Sequence, residues 1–201
     1  MLLIFSDTDY PADPYPGARP DCSFVHRDGH GYELPVDLDH TGRIPVLAYG
    51  SNACPSKMTW LRQNLGLTGD VVVLRAYCTD MAAVWAAGFR ASDGQRTATL
   101  AACPGVVETH AVWLATPEQL AVLDVCEGRG ERYHLARLEN GVTLEDGREL
   151  PEVFAYVGAS PARMPLLVNG APVRTVGFPQ GKARALNGVP AYSHGLDIEI
   201  V

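Results

Sequence analysis

Four consecutive residues, Tyr49-Gly50-Ser51-Asn52, could bind an oxygen-bearing ligand. A glycine at the end of a strand lets the backbone turn sharply, so that the amides after it can point at one spot. When a helix starts just after such a turn, the site favours an anion or a carbonyl oxygen. The same residues also fit an ordinary Asx-type turn that caps a helix beginning at Pro55. The turn alone leaves both interpretations open.

Glu127 is a candidate general base. Leu120, Leu123 and Glu127 are spaced by three and four residues, which places Glu127 on the apolar face of its helix. It also lies at the helix C-terminus, where the macrodipole disfavours a negative charge. Both effects raise the pKa of a carboxyl group and make it a better base. If the helix instead ended early, Glu127 would point into water, as most glutamates do.

Covalent catalysis is an alternative use of the same turn. Ser51 or Cys54 could act as a nucleophile with a histidine as base. The candidates for that base are His110, His134 and His194. Ser51 does not lie in a Gly-x-Ser-x-Gly elbow, and no spacing ties a histidine to it. The sequence therefore favours acid/base chemistry over a covalent intermediate.

A metal site is a further alternative near the N-terminus. Cys22, His26 and His30 follow one another at four-residue intervals, so on a helix they would share a face and could bind zinc. The Asp28-Gly29 pair between the two histidines argues against a helix there. We therefore do not expect a metal ion at these residues.

The elements that would position these residues follow from local patterns. Ile44–Tyr49 is a short apolar run bounded by glycine, which is typical of a buried strand. Pro55–Leu65 is predicted to be a helix with proline in its first turn. Thr116–Gln119 combines a capping threonine, a first-turn proline and a capping-box glutamine, and Gly128 would end the helix that follows.

The rest of the pattern indicates strands joined by turns. Four apolar segments are predicted strands: Val71–Ala76, Met81–Ala87, Thr97–Ala102 and Thr109–Ala115. Asn140-Gly141 and Asp146-Gly147 are typical two-residue hairpin loops. They predict a meander of Tyr133–Glu139, Val142–Glu145 and Arg148–Val157, with a last strand near Asp197–Val201. Many strands with two clear helices predict an α+β fold with a curved or barrel-like, mainly antiparallel sheet.

Composition excludes several classes of function. The 201 residues are 47% hydrophobic and carry a net charge of −7, as suits a folded domain without a basic stripe. A negative chain repels phosphate backbones, so nucleic acid is not an expected partner. No apolar run approaches the roughly 18 to 20 residues that cross a membrane. The five cysteines are odd in number and lack Cys-x-x-Cys spacing, which favours free thiols and a cytoplasmic location.

The first 43 residues differ from the remainder. Four prolines at positions 11, 14, 16 and 20 prevent a helix, and aromatic residues are interleaved with them. We expect an acidic N-terminal arm over residues 1–43 and a main domain over residues 44–201. The arm would be either extended along the main domain or mobile. It could close over a pocket mouth, or pack against a second copy of the chain in a homodimer.

Three stretches taken together resemble the γ-glutamylcyclotransferase-like superfamily. They are Leu47–Asn52, then Gly105–Trp113, then Leu123–Gly128 with Tyr133 shortly after. Their order and approximate spacing match that superfamily, and the resemblance covers roughly residues 44 to 157.

The resemblance implies a fold, a reaction and a set of site residues. The implied fold is a small, mixed, mainly antiparallel β-barrel flanked by helices. The implied reaction is a cyclotransferase reaction that converts a small γ-glutamyl substrate to 5-oxoproline and a free amine without a cofactor. Tyr49, Gly50, Ser51 and Asn52 would hold the γ-glutamyl group, Glu127 would be the general acid/base, and Tyr133 would orient the substrate or the carboxylate. A non-catalytic relative that binds a small molecule or a peptide end in the same pocket is the alternative.

Overall fold

The computed structural model describes residues 1–139, 141–150 and 152–201. The α-helices are α1 (Pro55–Leu65), α2 (Pro117–Glu127) and α3 (Gln180–Ala183), with short 3₁₀ turns at Asp7–Asp9, Ser51–Ala53 and Pro161–Arg163. The strands are β1 (Leu3–Ser6), β2 (Phe24–Arg27), β3 (His30–Tyr32), β4 (Ile44–Ala48), β5 (Val71–Phe89), β6 (Arg96–Ala115), β7 (Tyr133–Leu138), β8 (Val142–Leu144), β9 (Val153–Gly158), β10 (Leu166–Val168), β11 (Ala171–Pro172), β12 (Val189–Pro190) and β13 (Ile198–Ile200).

The two long helices begin and end where the sequence predicts. At the start of α2, the Gln119 amide donates to Thr116 Oγ1 over 3.3 Å, and the Thr116 amide donates to Gln119 Oε1 over 3.1 Å. Gly66 and Gly128 follow α1 and α2 in the left-handed conformation, with φ of 72° and 62°. These caps place Glu127 in the last turn of α2 and keep that turn from fraying.

The four predicted central strands are in fact two long ones. β5 and β6 pair antiparallel over most of their length, with a register shift between Thr79 and Met81. Asp80 there has a φ of 60°, and the Gly105 amide on the facing strand donates to Asp80 Oδ1 over 2.6 Å. Asp80 and Gly105, which lie between the predicted strands, therefore form a bulge that bends a continuous hairpin without ending it.

The main sheet is mixed and mainly antiparallel. Its strand order is β1-β3-β2-β5-β6-β4-β9-β7-β13, with β8 added on β5, and β4 and β9 are parallel. A smaller sheet has the order β11-β10-β12. The predicted α+β class is confirmed. The barrel is not, because the strand pairings of the described residues follow an open path from β1 to β13.

The predicted three-strand meander is wrong in its pairing. β8 pairs with β5, where Ala76 faces Leu144, while β7 pairs with β9. β2 covers β5 only as far as Val73, so the next stretch of the β5 edge is free to take another strand. The Asp146-Gly147 turn does reverse the chain, and the Leu144 amide donates to the Arg148 carbonyl over 2.8 Å. Asn140 of the other predicted turn lies outside the described residues.

The N-terminal arm is ordered and shares the main sheet. β2 pairs with β5, and β3 and β1 continue the sheet outwards. His26 Nε2 lies 2.9 Å from Asp7 Oδ1, and the Ser56 hydroxyl of α1 donates to the Asp7 carbonyl over 2.9 Å.

The zinc site considered for Cys22, His26 and His30 would need these residues on one helix. His26 lies in strand β2 and His30 in strand β3 instead. The described part of the chain contains no group of three or more potential metal-binding side chains.

Both faces of the central hairpin are buried. Val72 and Leu74 of β5 face one hydrophobic cluster, which includes Trp85, and Val71 and Val73 face a second one. α1 and α2 cover the second cluster, so the sheet fixes where both helices lie. At 11 residues each, these are the longest helices in the described ranges, and none there is long and apolar enough to cross a bilayer.

Candidate functional site

The chain bends sharply between β4 and α1. Gly50 leads into the 3₁₀ turn Ser51–Ala53, in which the Ala53 amide donates to the Gly50 carbonyl over 3.3 Å. Trp113 Nε1 on β6 donates to the Asn52 carbonyl over 2.8 Å. A Cβ atom at Gly50 would lie 3.0 Å from the Tyr15 hydroxyl, so a side chain there would crowd that tyrosine. The bend is thus held by the Trp113 hydrogen bond and bounded by the Tyr15 hydroxyl.

Asn52 and Glu127 meet across 75 residues of sequence. Asn52 Nδ2 donates to Glu127 Oε1 over 2.9 Å. The bend after β4 and the end of α2 therefore face one another. The turn and the acid, which the sequence predicts at two separate points, are in contact in the fold.

Glu127 is a carboxylate in a partly dry environment. Burial raises its pKa, and the Asn52 hydrogen bond and the positive charges of Lys57, Arg132 and Arg163 oppose this only in part. Its side chain is packed among protein atoms but stays partly accessible. A carboxylate with a raised pKa and access to a ligand has the properties of a general base.

A cavity of about 890 Å³ lies between the bend and the end of α2. All six residues that the sequence analysis singled out line it: Tyr49, Gly50, Ser51, Asn52, Glu127 and Tyr133. A cavity of this size can hold a small metabolite or a short peptide. The geometry is thus that of a site for a small molecule, with Glu127 in the part of its wall that faces the bend.

The two candidate tyrosines have their hydroxyl protons in use. Tyr49 donates to the Tyr156 carbonyl, and Tyr133 donates to the Ala98 carbonyl over 3.0 Å. Both side chains are buried. Their hydroxyl groups therefore hold neighbouring strands together, and a ligand would meet their rings or the remaining lone pairs. The role of Tyr133 in orienting a substrate stays a prediction.

Several further residues line the cavity that the sequence patterns do not indicate. Lys57 of α1 and Arg163 of the third 3₁₀ turn add positive charge to the lining. Lys57 Nζ lies 3.5 Å from the centre of the Trp60 ring, and Arg163 is buried with its Nε atom unpartnered within the described residues. Arg163 follows no recognisable motif, because it reaches the site only through tertiary folding. Lys57 could have been found, since it lies one helical turn after the bend.

The covalent alternative has no support in the geometry. Cys54 is buried, with its thiol directed at the Tyr10 carbonyl over 3.4 Å. Ser51 lines the cavity, but no histidine lies in the described part of its wall. His110 instead packs beside Glu108, with Nε2 at 3.0 Å from Glu108 Oε2. A base for a serine or cysteine nucleophile is therefore not in place.

Comparison with known proteins gives partial likenesses. Neither models of known families nor curated proteins match the chain. Among solved structures, a gamma-glutamyl cyclotransferase has 20% identity and a TM-score of 0.47, covering 58% of this chain and 67% of that one. An uncharacterised human protein has 22% identity and a TM-score of 0.46, covering 59% and 68%.

A glutathione-specific gamma-glutamyl cyclotransferase from yeast is also similar, with 17% identity and a TM-score of 0.36 over 59% of this chain and 69% of that one. Identities this low and likenesses this partial do not decide an activity.

Proposed function

We propose that this protein is a γ-glutamyl cyclotransferase, which closes a γ-glutamyl compound on itself to release 5-oxoproline and a free amine. The observation that carries the proposal is the contact between Asn52 and Glu127 in the wall of the main cavity. The order of the three sequence motifs supports it as well. In this proposal Glu127 is the catalytic acid/base, and the bend at residues 49–52 holds the γ-glutamyl group.

The substrate supplies its own nucleophile. Its α-amine, in the neutral form, attacks the carbon of its side-chain amide and forms the C–N bond of a five-membered lactam. Glu127 takes the proton that the attacking nitrogen loses, and a raised pKa makes it a better acceptor. The carbonyl π-electrons move to the oxygen, which becomes an oxyanion.

The second step reverses the flow of electrons. The oxyanion forms its carbonyl again, the original amide C–N bond breaks, and Glu127 returns the proton to the departing nitrogen. The leaving amine thus carries away the proton that the attacking amine lost, and no water is consumed. One carboxyl group acts as base and then as acid, so its pKa must suit both tasks.

The rest of the cavity supports this chemistry by orientation and charge. Gly50 and Ser51 lie where a 3₁₀ turn begins, and the first amides of such a turn have no partner within it. Donors of this kind at a developing oxyanion contribute about 3–4 kcal/mol. Lys57 and Arg163 supply positive charge for the α-carboxylate of a γ-glutamyl group. Holding amine and carbonyl together gives effective molarities of about 10⁵ M or more.

The test is release of 5-oxoproline from γ-glutamyl peptides by the wild type and by Glu127→Gln. We expect the variant to bind 5-oxoproline like the wild type and to lose about 10²–10⁴-fold in kcat, because the amide cannot accept the proton. The matched control is Glu131→Gln, an exposed glutamate just beyond α2 that does not line the cavity. It should keep wild-type kcat.

The outcomes separate catalysis from binding alone. A wild type that binds 5-oxoproline but turns over no γ-glutamyl peptide would be a binding protein, and the proposal would fail. Full turnover by Glu127→Gln would remove Glu127 as the acid/base and leave the activity without its proposed mechanism.

A further inference from the structure

The N-terminal arm places one tyrosine inside the main cavity. Tyr15 is buried and lines the cavity together with Gly50 and Glu127. Its backbone is held in place by distant residues: its amide donates to Gln95 Oε1 over 2.5 Å, and its carbonyl accepts from Gln180 Nε2 over 3.1 Å. The arm therefore contributes a fixed wall of the site.

The hydroxyl of Tyr15 has an unused proton. The Ala98 amide donates to the Tyr15 hydroxyl oxygen over 3.0 Å, so this oxygen is already an acceptor. A phenol also carries one hydrogen to donate, and the described residues offer no acceptor for it. The same oxygen would lie 3.0 Å from a Cβ atom at Gly50, which places it beside the bend.

The other tyrosines of the cavity wall do not share this property. Within the described residues Tyr49 and Tyr133 donate to backbone carbonyls, and Tyr156 donates to Asp124 Oδ1 over 2.7 Å. Tyr15 is thus the cavity tyrosine whose proton remains for a ligand. Its ring is also held, between the Arg90 guanidinium at 4.8 Å and the Trp85 ring at 6.3 Å.

We propose that Tyr15 is a further catalytic residue, which donates its phenolic hydrogen bond to the carbonyl oxygen that becomes the oxyanion during cyclisation. The inference rests on the proposed function. Tyr15 keeps its proton throughout the reaction; it stabilises the charge that appears on the oxygen when the amine attacks and that disappears when the leaving amine departs. Together with the amides at Gly50 and Ser51, it completes a set of donors on one side of the substrate carbonyl.

Two further observations fit this role. Burial raises the pKa of Tyr15 to about 12, so the hydroxyl remains a donor at neutral pH. Arg19 Nη2, four residues further along the arm, donates to the Tyr49 carbonyl over 2.8 Å. This bond ties the arm to the first residue of the bend, so that the hydroxyl and the turn amides keep one relative position.

The experiment compares Tyr15→Phe with Tyr10→Phe. Tyr10 belongs to the same arm and packs against Phe5, but it does not line the cavity, so its variant should behave as wild type. For Tyr15→Phe we expect kcat to fall about 10²–10³-fold, because a transition-state donor is lost. KM and the Kd for 5-oxoproline should stay within about twofold of wild type, since uniform binding is not affected. A purely structural tyrosine would not separate kcat from binding in this way.

Tyr15→Phe also leaves the Ala98 amide without its acceptor, and this could prevent folding. A ring-fluorinated tyrosine at position 15 then decides, because it keeps the shape and the acceptor but has a lower phenol pKa. The fluorinated protein should lose activity at a lower alkaline pH than wild type, as its donor ionises. An unchanged alkaline profile would overturn the inference.

The failure of this inference and that of the proposed function look different. If the wild type releases 5-oxoproline and folded Tyr15→Phe does so at the same kcat, Tyr15 has no catalytic role and the function stands. If the folded wild type releases none from γ-glutamyl peptides, the proposed function fails, and the role of Tyr15 in it fails too.

Discussion

Glu108 is buried and Glu127 is partly buried, and their surroundings affect the two carboxyl groups in opposite ways. Glu127 receives one side-chain hydrogen bond, from the neutral amide of Asn52, and burial raises its pKa. Burial would also raise the pKa of Glu108, but His110, Arg174 and the Ala83 amide outweigh it and bring the pKa below its usual value. These neighbours lie within 3.0 Å of the Glu108 carboxylate oxygens.

The difference separates a carboxylate that can exchange protons from one that cannot. Glu108 is fixed in the charged form by an arginine and a backbone amide, so it joins β5, β6 and the C-terminal segment that carries Arg174. Glu127 is left with few donors and an open cavity in front of it. Burial raises the pKa of a carboxyl group only where hydrogen-bond donors and positive charges are too few to offset it, and Glu127 meets this condition.

The largest expected change in stability comes from Glu108→Gln. The neutral glutamine side chain cannot compensate the positive charge of the Arg174 guanidinium. Part of this loss is offset because the Arg174 side chain is 40% exposed and can be hydrated. We expect the free energy of unfolding to fall by about 2–3 kcal/mol, as for the loss of charge-assisted hydrogen bonds. Denaturant titration measures this. If Glu108→Gln is as stable as wild type, or more stable, the two carboxylates do not differ as described.

Glu127→Gln should act in the opposite direction. A raised carboxyl pKa in the folded state means that ionisation of Glu127 opposes folding. The protonated carboxyl group favours the folded state below the unfolded pKa, and this advantage is lost as the pH rises through the folded pKa. Gln does not titrate. The variant should therefore be slightly more stable than wild type at neutral pH, with a difference that vanishes below the ordinary value of 4.5. Melting temperatures across this range would show it, and a difference independent of pH would contradict it.

Asn52→Ala should make the contrast between the two acids sharper. The Asn52 hydrogen bond favours the charged form of Glu127, so its removal raises the pKa of Glu127 further. The acidic limb of the kcat profile should move to higher pH with the same substrate. Carboxyl-carbon NMR titration of Glu127 gives the pKa directly in both proteins. A shift to lower pH would show that Asn52 does not act on the charged carboxylate.

The smallest effect is expected at an exposed ion pair. Arg27 and Asp70 form a bidentate pair on the surface, with side chains 46% and 34% exposed. Arg27→Gln should lower the free energy of unfolding only slightly, and the loss should be smaller still at high salt. Denaturant titration at two salt concentrations checks this. A loss as large as that of Glu108→Gln would mean that burial is not what distinguishes the two pairs.

The parts of the fold that local chemistry decides are predictable from this sequence. Thr116 and Gln119 fix the start of α2, and Gly128 fixes its end, so the place of Glu127 in the last turn follows from neighbours in sequence. The continuity of β5 and β6 does not follow. Asp80 and Gly105 have the local signature of turns, and only their pairing across the hairpin makes them a bulge.

Long-range contacts explain what the sequence could not provide for the site. The turn at Gly50 and the acid at Glu127 could be named because each has a local pattern. Tyr15 and Arg163 have none, since their place in the cavity depends on how the arm and the C-terminal loops lie on the central hairpin. Local patterns likewise could not predict that β8 pairs with β5, because this pairing depends on how much of the β5 edge β2 leaves free.

The arm has a consequence for the order in which this protein can mature during translation. Tyr15 leaves the ribosome well before Gln180, which holds its carbonyl and lies 165 residues further along. A nascent chain that has not yet released Gln180 therefore has an unfinished cavity wall. Such a chain gains a complete pocket only after Gln180 has been released.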